Sequence, residues 1–495
     1  MPPVPAEVEP KVHLLVEGPP AVTDPSTGRA ASAEADRVEA AVSLRISPTP
    51  ETLERVARVR TQLVERVRAA AAERKSPLVR ALVAGSAARG TFLSDRLDID
   101  LFLLFPPDLP RDRLREEGLA LGRGILSEPE TRYAEHPYLR GRFEGFAVDA
   151  VPGFAVTDPS HPLSPVDRTP FHQEYLSSRE SPELVAQVRL TKQFLRTLGV
   201  YGSEARTEGF SGYLVELVVL RYGSLRGVLT AARNWRVPAR VGEPDRDPPR
   251  LPPEVALILA DPVDPNRNVA SALSRKNLAT VILAAGEYLD RPSEAWFRPT
   301  EHTPLTRGEA LERLRARGTH AAVIVLPRPD LVDDTLYPQV RKAERAIAEE
   351  VGRSDFAVIG SSCAVDTDRI LVLVEVAHAH RPVVRLQDGP PVGIARVGQY
   401  LEKWTAPEAP VLQGPYVRAD GSLAVETRRA DRELEAVIRA ALPRLSLGRD
   451  LTPPPDSPAQ VHPLSATSES PGLSRGLDEL LGKRLPWAGR TDRGA

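Results

Sequence analysis

Asp98 and Asp100 are the residues of this 495-residue chain whose types and spacing point most directly to chemistry. They stand in the run DIDLFLLF (98–105), where a period-two strand turns both carboxylates to one face and Ile99 and Leu101 to the other. Like charges held so close are unfavourable unless cations lie between them, and two magnesium ions would supply that compensation. Upstream, Gly85-Ser86 follows the apolar run Leu78 to Ala84 and opens a short helix, where backbone N–H groups and a hydroxyl can hold a phosphate. Asp149, in FAVDAV (146–151), adds a third carboxylate on a third apolar strand. Two metals ~3.5–4 Å apart, clamping the attacking and leaving oxygens, are the physical solution for in-line nucleotidyl transfer. Alone, Asp-x-Asp reads as a charged sheet edge and Gly-Ser as a turn. The three features together favour a metal and phosphate site.

The elements that must position these residues are legible around them. Thr49-Pro50 reads as an N-cap and first helical residue, and Leu53, Val56, Leu63 and Val67 continue an amphipathic helix to about Lys75. Residues 183–198, closed by Gly199, and 210–222 read as helices, and 239–254 as a Pro-rich charged loop. The composition breaks near 292–306. Beyond it, AAVIVL (321–326), a helix over about 334–351, FAVIG (356–360) and ILVLVEV (370–376) give a strand-helix-strand-strand order, as in ferredoxin-like α+β domains. Asp420-Gly421 marks a separate hairpin. Residues 1–45 lack sustained periodicity and 451–495 are Pro/Ser-rich, so both ends are expected to be disordered. In the second, Leu473, Leu477, Leu480, Leu481 and Leu485 before Trp487 could make one or two amphipathic turns at most.

Composition bounds the rest. The length implies several domains at ~100–200 residues each. With 65 Lys+Arg against 67 Asp+Glu the net charge is -2, which excludes a surface that grips nucleic acid everywhere but not a local basic face. The basic candidates are the 51–80 helix region and Arg428, Arg429, Arg432 and Arg439. Cys363 is the only cysteine, so neither a disulfide framework nor a Cys-based zinc cluster is available. No secretory or membrane-spanning pattern occurs, and a cytoplasmic location is expected.

The run GSAARGTFLSDRLDIDLFLLFP (85–106) resembles the signature of the DNA polymerase beta nucleotidyltransferase superfamily. More narrowly, it is similar to that of the archaeal-type (class I) CCA-adding enzymes, which are tRNA nucleotidyltransferases. RYAEHPYLRG (132–141), VDAVPGF (148–154), PVDRTPFHQEYL (165–176), KQFLRTLGVYGSEARTEGFSGYLVELVVLRYG (192–223) and DPVDPNRNVASALS (261–274) agree with the narrower family, and the match covers about 45–450. The fold this implies is α+β and multidomain. It has a polymerase-beta-like nucleotidyltransferase head (46–158), a mostly helical central domain (159–300) and a ferredoxin-like α+β tail (301–450).

The resemblance also implies roles. Asp98, Asp100 and Asp149 match the magnesium ligands, with Asp149 placed to assist deprotonation of the tRNA 3′-hydroxyl; many relatives have Glu at the first of these positions. Ser86 and Arg89 match triphosphate contacts. His172, Lys192 and Tyr201 match nucleotide-binding positions, and Arg267 the arginine that reads the base. Glu135 and His136 fall in a loop that closes near the incoming base. The implied activity is template-independent addition of the tRNA 3′-terminal CCA from CTP and ATP, with the tail measuring the acceptor stem and T-loop half. A homodimer is left open, and no membrane partner is expected. The competing readings are a poly(A) polymerase-like terminal transferase, which would need no CTP, and a tRNA-binding protein with a decayed head.

Overall fold

The computed structural model describes residues 25–488 except positions 96, 134–136, 243–247, 249, 300–301 and 453–457. Its first part comprises α1 (Pro25–Ile46), α2 (Pro50–Glu73), β1 (Arg80–Ala84), α3 (Gly85–Arg89), β2 (Asp98–Phe105), α4 (Arg111–Ile125), β3 (Ser127–Tyr133), β4 (Pro137–Phe143) and β5 (Phe146–Phe154). Thr49 caps α2 as its spacing predicts, its hydroxyl accepting from the Thr52 N–H at 3.2 Å. The strands form one sheet in the order β1-β2-β5-β4-β3. β2 and β5 run parallel, and the other neighbours are antiparallel. Ile99, Leu101, Val148 and Ala150 bury one face of the central pair under Val59, Leu63 and Val67 of α2 and Leu114 and Leu121 of α4. The carboxylates of β2 and β5 are left on the other face.

A helical unit follows, made of α5 (Thr169–Ser177), α6 (Pro182–Thr197), α7 (Gly212–Tyr222), α8 (Leu225–Ala232), the short pair β6 (Ala239–Arg240) and β7 (Leu257–Ile258), and α9 (Arg275–Asp290). Ser181, Ser211, Ser224 and Ser274 cap α6 to α9 by accepting N–H bonds through their hydroxyls. Phe194, Tyr288, Trp296 and Phe297 form its aromatic centre.

The expectation of a disordered 1–45 is overturned for residues 25–45, which lie in α1. Its Val38, Val42 and Ile46 recur at four-residue steps and pack into the helical core, and Glu39 accepts from the Tyr288 hydroxyl at 3.1 Å. Leu44 of the same helix points outward. The expectation for 1–24 lies outside the described residues.

The last part contains α10 (Arg307–Arg317), β8 (His320–Pro327), α11 (Asp333–Arg353), β9 (Val358–Val365), β10 (Arg369–Val376), β11 (Val384–Pro391), α12 (Val397–Thr405), β12 (Val411–Val417), β13 (Ser422–Arg428), α13 (Leu434–Ala441), β14 (Gln460–Pro463) and α14 (Pro471–Leu481). β14-β8-β10-β9 is an antiparallel sheet, and β11-β13-β12 is a second sheet inserted between β10 and α13. Without the insert the order is β-α-β-β-α-β, the ferredoxin-like arrangement expected. Alternate residues of β10 serve two cores: Ile370, Val372 and Val374 meet α11 and α13, while Leu371 and Leu373 meet α10 and α14.

The expected disorder of 451–495 is corrected as well for the described residues 451–452 and 458–488, while 453–457 and 489–495 lie outside the described residues. That segment supplies β14, the fourth strand of the ferredoxin-like sheet, and α14, whose Leu473, Leu477 and Leu480 cover its second face. Ser470 caps α14 through the Leu473 N–H at 3.1 Å. Trp487 then crosses into the helical unit and meets Trp296 with ring centroids 5.4 Å apart. Pro and Ser in this stretch mark caps and turns between short elements, which composition alone cannot tell from disorder. Among the described residues no helix is long and apolar enough to cross a membrane.

Several arginines expected on a basic face also make contacts within the chain. Arg55 donates to the Glu144 carbonyl, Arg60 to Ala88, Arg432 to Arg381 and Arg439 to Val461, and Arg429 pairs with Asp355 at 2.7 Å. Arg58, Arg66, Arg68 and Arg74 of the α2 region stay exposed.

Trp487 is 4% exposed and neighbouring Leu485 47%. Trp487→Ala is expected to destabilise by about 3 kcal/mol, the usual scale for a buried aromatic, and Leu485→Ala by less than about 0.5 kcal/mol. Urea unfolding midpoints of the two variants check this.

Candidate active site

The register of the parallel pair sets Asp100 beside Asp149. One strand further, Arg140 of β4 stands opposite Asp149. Asp98, Asp149 and Arg140 are joined directly: the guanidinium donates to Asp98 Oδ1 at 2.9 Å and to Asp149 Oδ2 at 3.4 Å. The other oxygen of Asp149, Oδ1, is buried and has no hydrogen-bond partner. Burial, then Asp149, then Asp98 push the Asp100 carboxyl up to about 6. Burial raises Asp149 as well, with Arg140 pulling against it and Asp98 adding to it.

Gly85 makes the approach of the phosphate-type turn possible. It has φ of +71°, and a Cβ there would lie 2.5 Å from Asp100 Oδ2. Ser86 therefore opens α3 against the carboxylates.

Three hard carboxylate donors, one with an unpartnered buried oxygen, suit a divalent cation. Among the described residues, however, no three acidic, histidine or cysteine side chains converge on one metal-sized point. Arg140 bridges Asp98 and Asp149 instead.

A second cluster joins the head to the helical unit. Glu216, 2% exposed on α7, accepts from Lys192 Nζ at 3.0 Å, Thr91 Oγ1 at 2.7 Å and Arg89 Nη2 at 2.5 Å. Burial opposes its charge, but Lys192 and Arg89 hold its carboxyl below the ordinary value. Lys192, 3% exposed, also donates to the Thr91 carbonyl at 3.2 Å. Arg89 lies 3.3 Å from Glu180 and binds Gln173; its charge is also felt at Asp100. Burial pushes Glu180 up to about 7. Tyr201 pairs with Phe210. Gly212 leaves room for the Tyr201 hydroxyl, since a Cβ there would lie 3.3 Å from it and 4.0 Å from Lys192 Nζ.

The third cluster centres on Asp261. It accepts from Arg267 at 2.7 Å and the Tyr213 hydroxyl at 3.0 Å, and lies 2.9 Å from His172 Nε2. The His172 ring stacks on Tyr213 at 4.0 Å. Burial alone would raise Asp261, but His172, the Val263 N–H and Arg267 bring it down to about 2. Asp264, fixed by Arg168 at 2.7 Å, shapes the same loop by accepting from the Arg267 N–H.

The candidate residues thus fall in three neighbouring groups: Asp98, Asp100, Asp149 and Ser86; Arg89, Lys192 and Tyr201; His172 and Arg267. Glu135 and His136 lie outside the described residues.

Family models match along the chain in this order: "Nucleotidyltransferase domain" at residues 64–172, "tRNA nucleotidyltransferase, second domain" at 186–298 and "CCA-adding enzyme, C-terminal domain" at 317–454. The CCA-adding enzyme of Halobacterium salinarum is 38% identical over 410 residues, spanning 82% of this chain and 89% of that protein. The chain belongs to the CCA-adding enzyme family. The Methanosarcina barkeri member is 36% identical over 425 residues, 84% of this chain and 91% of its own length. A solved structure, E. coli MS115-1 CdnC with ATP, is similar at TM-score 0.40 and 19% identity, covering 56% of this chain and 94% of that one.

Beside the residues the family resemblance points to, this member places Arg140, Thr91, Tyr213, Glu216 and Asp261, which sequence reasoning did not single out. Asp261 and Glu216 stood inside matched segments. Arg140 stood there too, in RYAEHPYLRG (132–141), with nothing in its type or spacing to set it apart from other arginines.

Because the folded Asp100 value lies above the ordinary 3.8, the folded chain holds the extra proton between about pH 4 and 6. Stability falls as pH rises through that window. In EDTA, Asp100→Asn is expected to be more stable than the parent by roughly 3 kcal/mol above about pH 7, an advantage that vanishes below about pH 4. Urea titrations across that range read it out.

Proposed function

We propose that this chain adds or repairs the 3′-terminal CCA of tRNA, using CTP and ATP without a template and releasing pyrophosphate. The observation that carries the reading is the triad Asp98, Asp100 and Asp149, side by side on adjoining strands against the Gly85-Ser86 turn in a member of the CCA-adding enzyme family. Divalent cations held by those three aspartates, two magnesium ions in this reading, supply positive charge where the triphosphate carries its negative charge.

The chain's own residues do the rest by positioning and by fixed charge. Asp149, with Oδ1 unpartnered, takes the proton from the tRNA 3′-hydroxyl. The Ser86 hydroxyl contacts the triphosphate. Arg89 and Lys192 do so by exchanging the Glu216 carboxylate for phosphate oxygens, and Tyr201 borders the same space. Arg267, held by Asp261 beside the His172–Tyr213 stack, presents donors to the base. On the Watson–Crick edges a guanidinium can donate to C O2 and N3 or to A N1, and it cannot pair equivalently with G or U there. The ferredoxin-like tail recognises the acceptor stem and T-loop half through shape and backbone, as A-form RNA requires. The place of action is the cytoplasm.

The test offers tRNA ending at its discriminator base, with each labelled nucleotide alone and then CTP with ATP. Growth by three nucleotides that then stops is expected, whereas a long A tail assigns the chain to terminal A addition. Asp100→Ala is expected to abolish incorporation while tRNA binding, measured by filter retention, stays near the parent value. Retained incorporation would remove the carboxylate mechanism, and no incorporation by the parent with magnesium would point to a decayed head.

A further inference from the structure

Arg140 is the residue at the carboxylate site that the reading above leaves without a role. Its strand register puts it on the line Asp100, Asp149, Arg140 across three strands. Its two terminal nitrogens take one oxygen each from Asp98 and Asp149, on different strands. It occupies the space between two carboxylates that a shared cation would need. Neutralisation is incomplete, since one guanidinium faces three carboxylates and Asp149 Oδ1 remains unpartnered. The other basic groups nearby have partners of their own: Arg132 pairs with Glu130 at 2.8 Å, and Arg89 with Glu216 and Glu180.

We propose that Arg140 is a resident counter-ion which a divalent cation must displace, so that the free cation binds weakly and enters mainly together with a nucleotide. This rests on the assignment of Asp98, Asp100 and Asp149 as the cation ligands. The chemistry is competition for the same atoms. Asp98 Oδ1 and Asp149 Oδ2 cannot donate fully to a hard cation while they accept from the guanidinium. Displacement is feasible because the pair is not sealed: Arg140 is 39% exposed and Asp98 36%, so the freed guanidinium can move to water. A triphosphate arriving with the cation gives that positive charge a new partner at the same site. A cation arriving alone gives it none. Arg140 is therefore a positioning residue, acting on the reaction through the carboxylates and the order in which ligands assemble.

The experiment titrates Mn2+ into the full chain without tRNA and follows the free-ion electron paramagnetic resonance signal, with and without a non-hydrolysable CTP analogue. Arg140→Gln is expected to bind Mn2+ alone about tenfold more tightly than the parent, the effect of removing one competing unit charge from a partly exposed site. Arg140→Lys, which keeps the charge, is expected to stay near the parent. The analogue should tighten Mn2+ binding strongly in the parent and much less in Arg140→Gln. A merely structural arginine predicts the reverse sign, weaker Mn2+ binding on its loss. Unchanged or weaker binding in Arg140→Gln, with binding lost in Asp100→Asn, overturns the proposal and leaves the carboxylate site standing. If Asp100→Asn binds Mn2+ like the parent, the assignment of the site itself fails.

Discussion

Like-charge repulsion among Asp98, Asp100 and Asp149 is the constraint around which the head is organised. A parallel strand pair with matched register cannot avoid it, because Asp100 and Asp149 are neighbours on one face. The chain tolerates the repulsion by making the opposite face rigid. Ile99, Leu101, Val148 and Ala150 are fully buried there, so neither strand can slip to separate the charges without exposing apolar surface. Residual strain is met by one shared guanidinium and by a glycine that lets the turn approach. Burial first, and then the charges of Asp149 and Asp98, keep the Asp100 carboxyl raised. Such crowding of carboxylates is poor for stability, and perturbed groups of this kind cluster at functional sites.

Glu216 solves a related problem one layer away. Arg89 and Lys192 would repel each other in a buried junction, and Glu216 neutralises both while Thr91 supplies a further donor. It also ties the head to α7, and Lys192 and Arg189 of α6 grip the Thr91 and Gly90 carbonyls just after the phosphate-type turn. The turn is thus held from the helical unit. Any substrate that draws Arg89 or Lys192 away from Glu216 loosens this joint, which couples occupancy to the fit between the two units.

Much of this was legible in the sequence, for reasons that differ by element. DIDLFLLF predicted β2 at 98–105, because strict alternation followed by a buried run has few other readings. Thr49-Pro50 located the start of α2 through cap chemistry. The ferredoxin-like order was visible from its first three strands. What failed to show depends on long-range contact. β14 is four residues long and is a strand only because β8 lies beside it. Arg140 reads as any arginine of RYAEHPYLRG until the register brings it opposite Asp149. Asp261 lay in the matched run DPVDPNR without being singled out, and its surroundings come from His172 and Tyr213, far away in sequence. Several arginines of the expected nucleic-acid face also make contacts of this kind, to carbonyls and to Asp355.

The chain's last described residues make the arrangement of units more than a row of beads. α14 completes the tail sheet, yet Trp487 lies in the aromatic centre of the helical unit, with Asp478 2.6 Å from His302 between the two. Arg341 of α11 donates to the Ala205 carbonyl at 2.7 Å and pairs with Glu208, and Asp334 accepts from the Ala205 N–H. The tail is therefore fastened to the helical unit at two separated places, once by polar bonds near 205–208 and once by a buried indole. A hinge between them would have to break both, and the second exposes large apolar surface. The joint between head and helical unit is built differently: beside Leu93, which enters the helical core, it rests on the ion pairs of Arg89 and Lys192 with Glu216 and on Arg189 holding the Gly90 carbonyl.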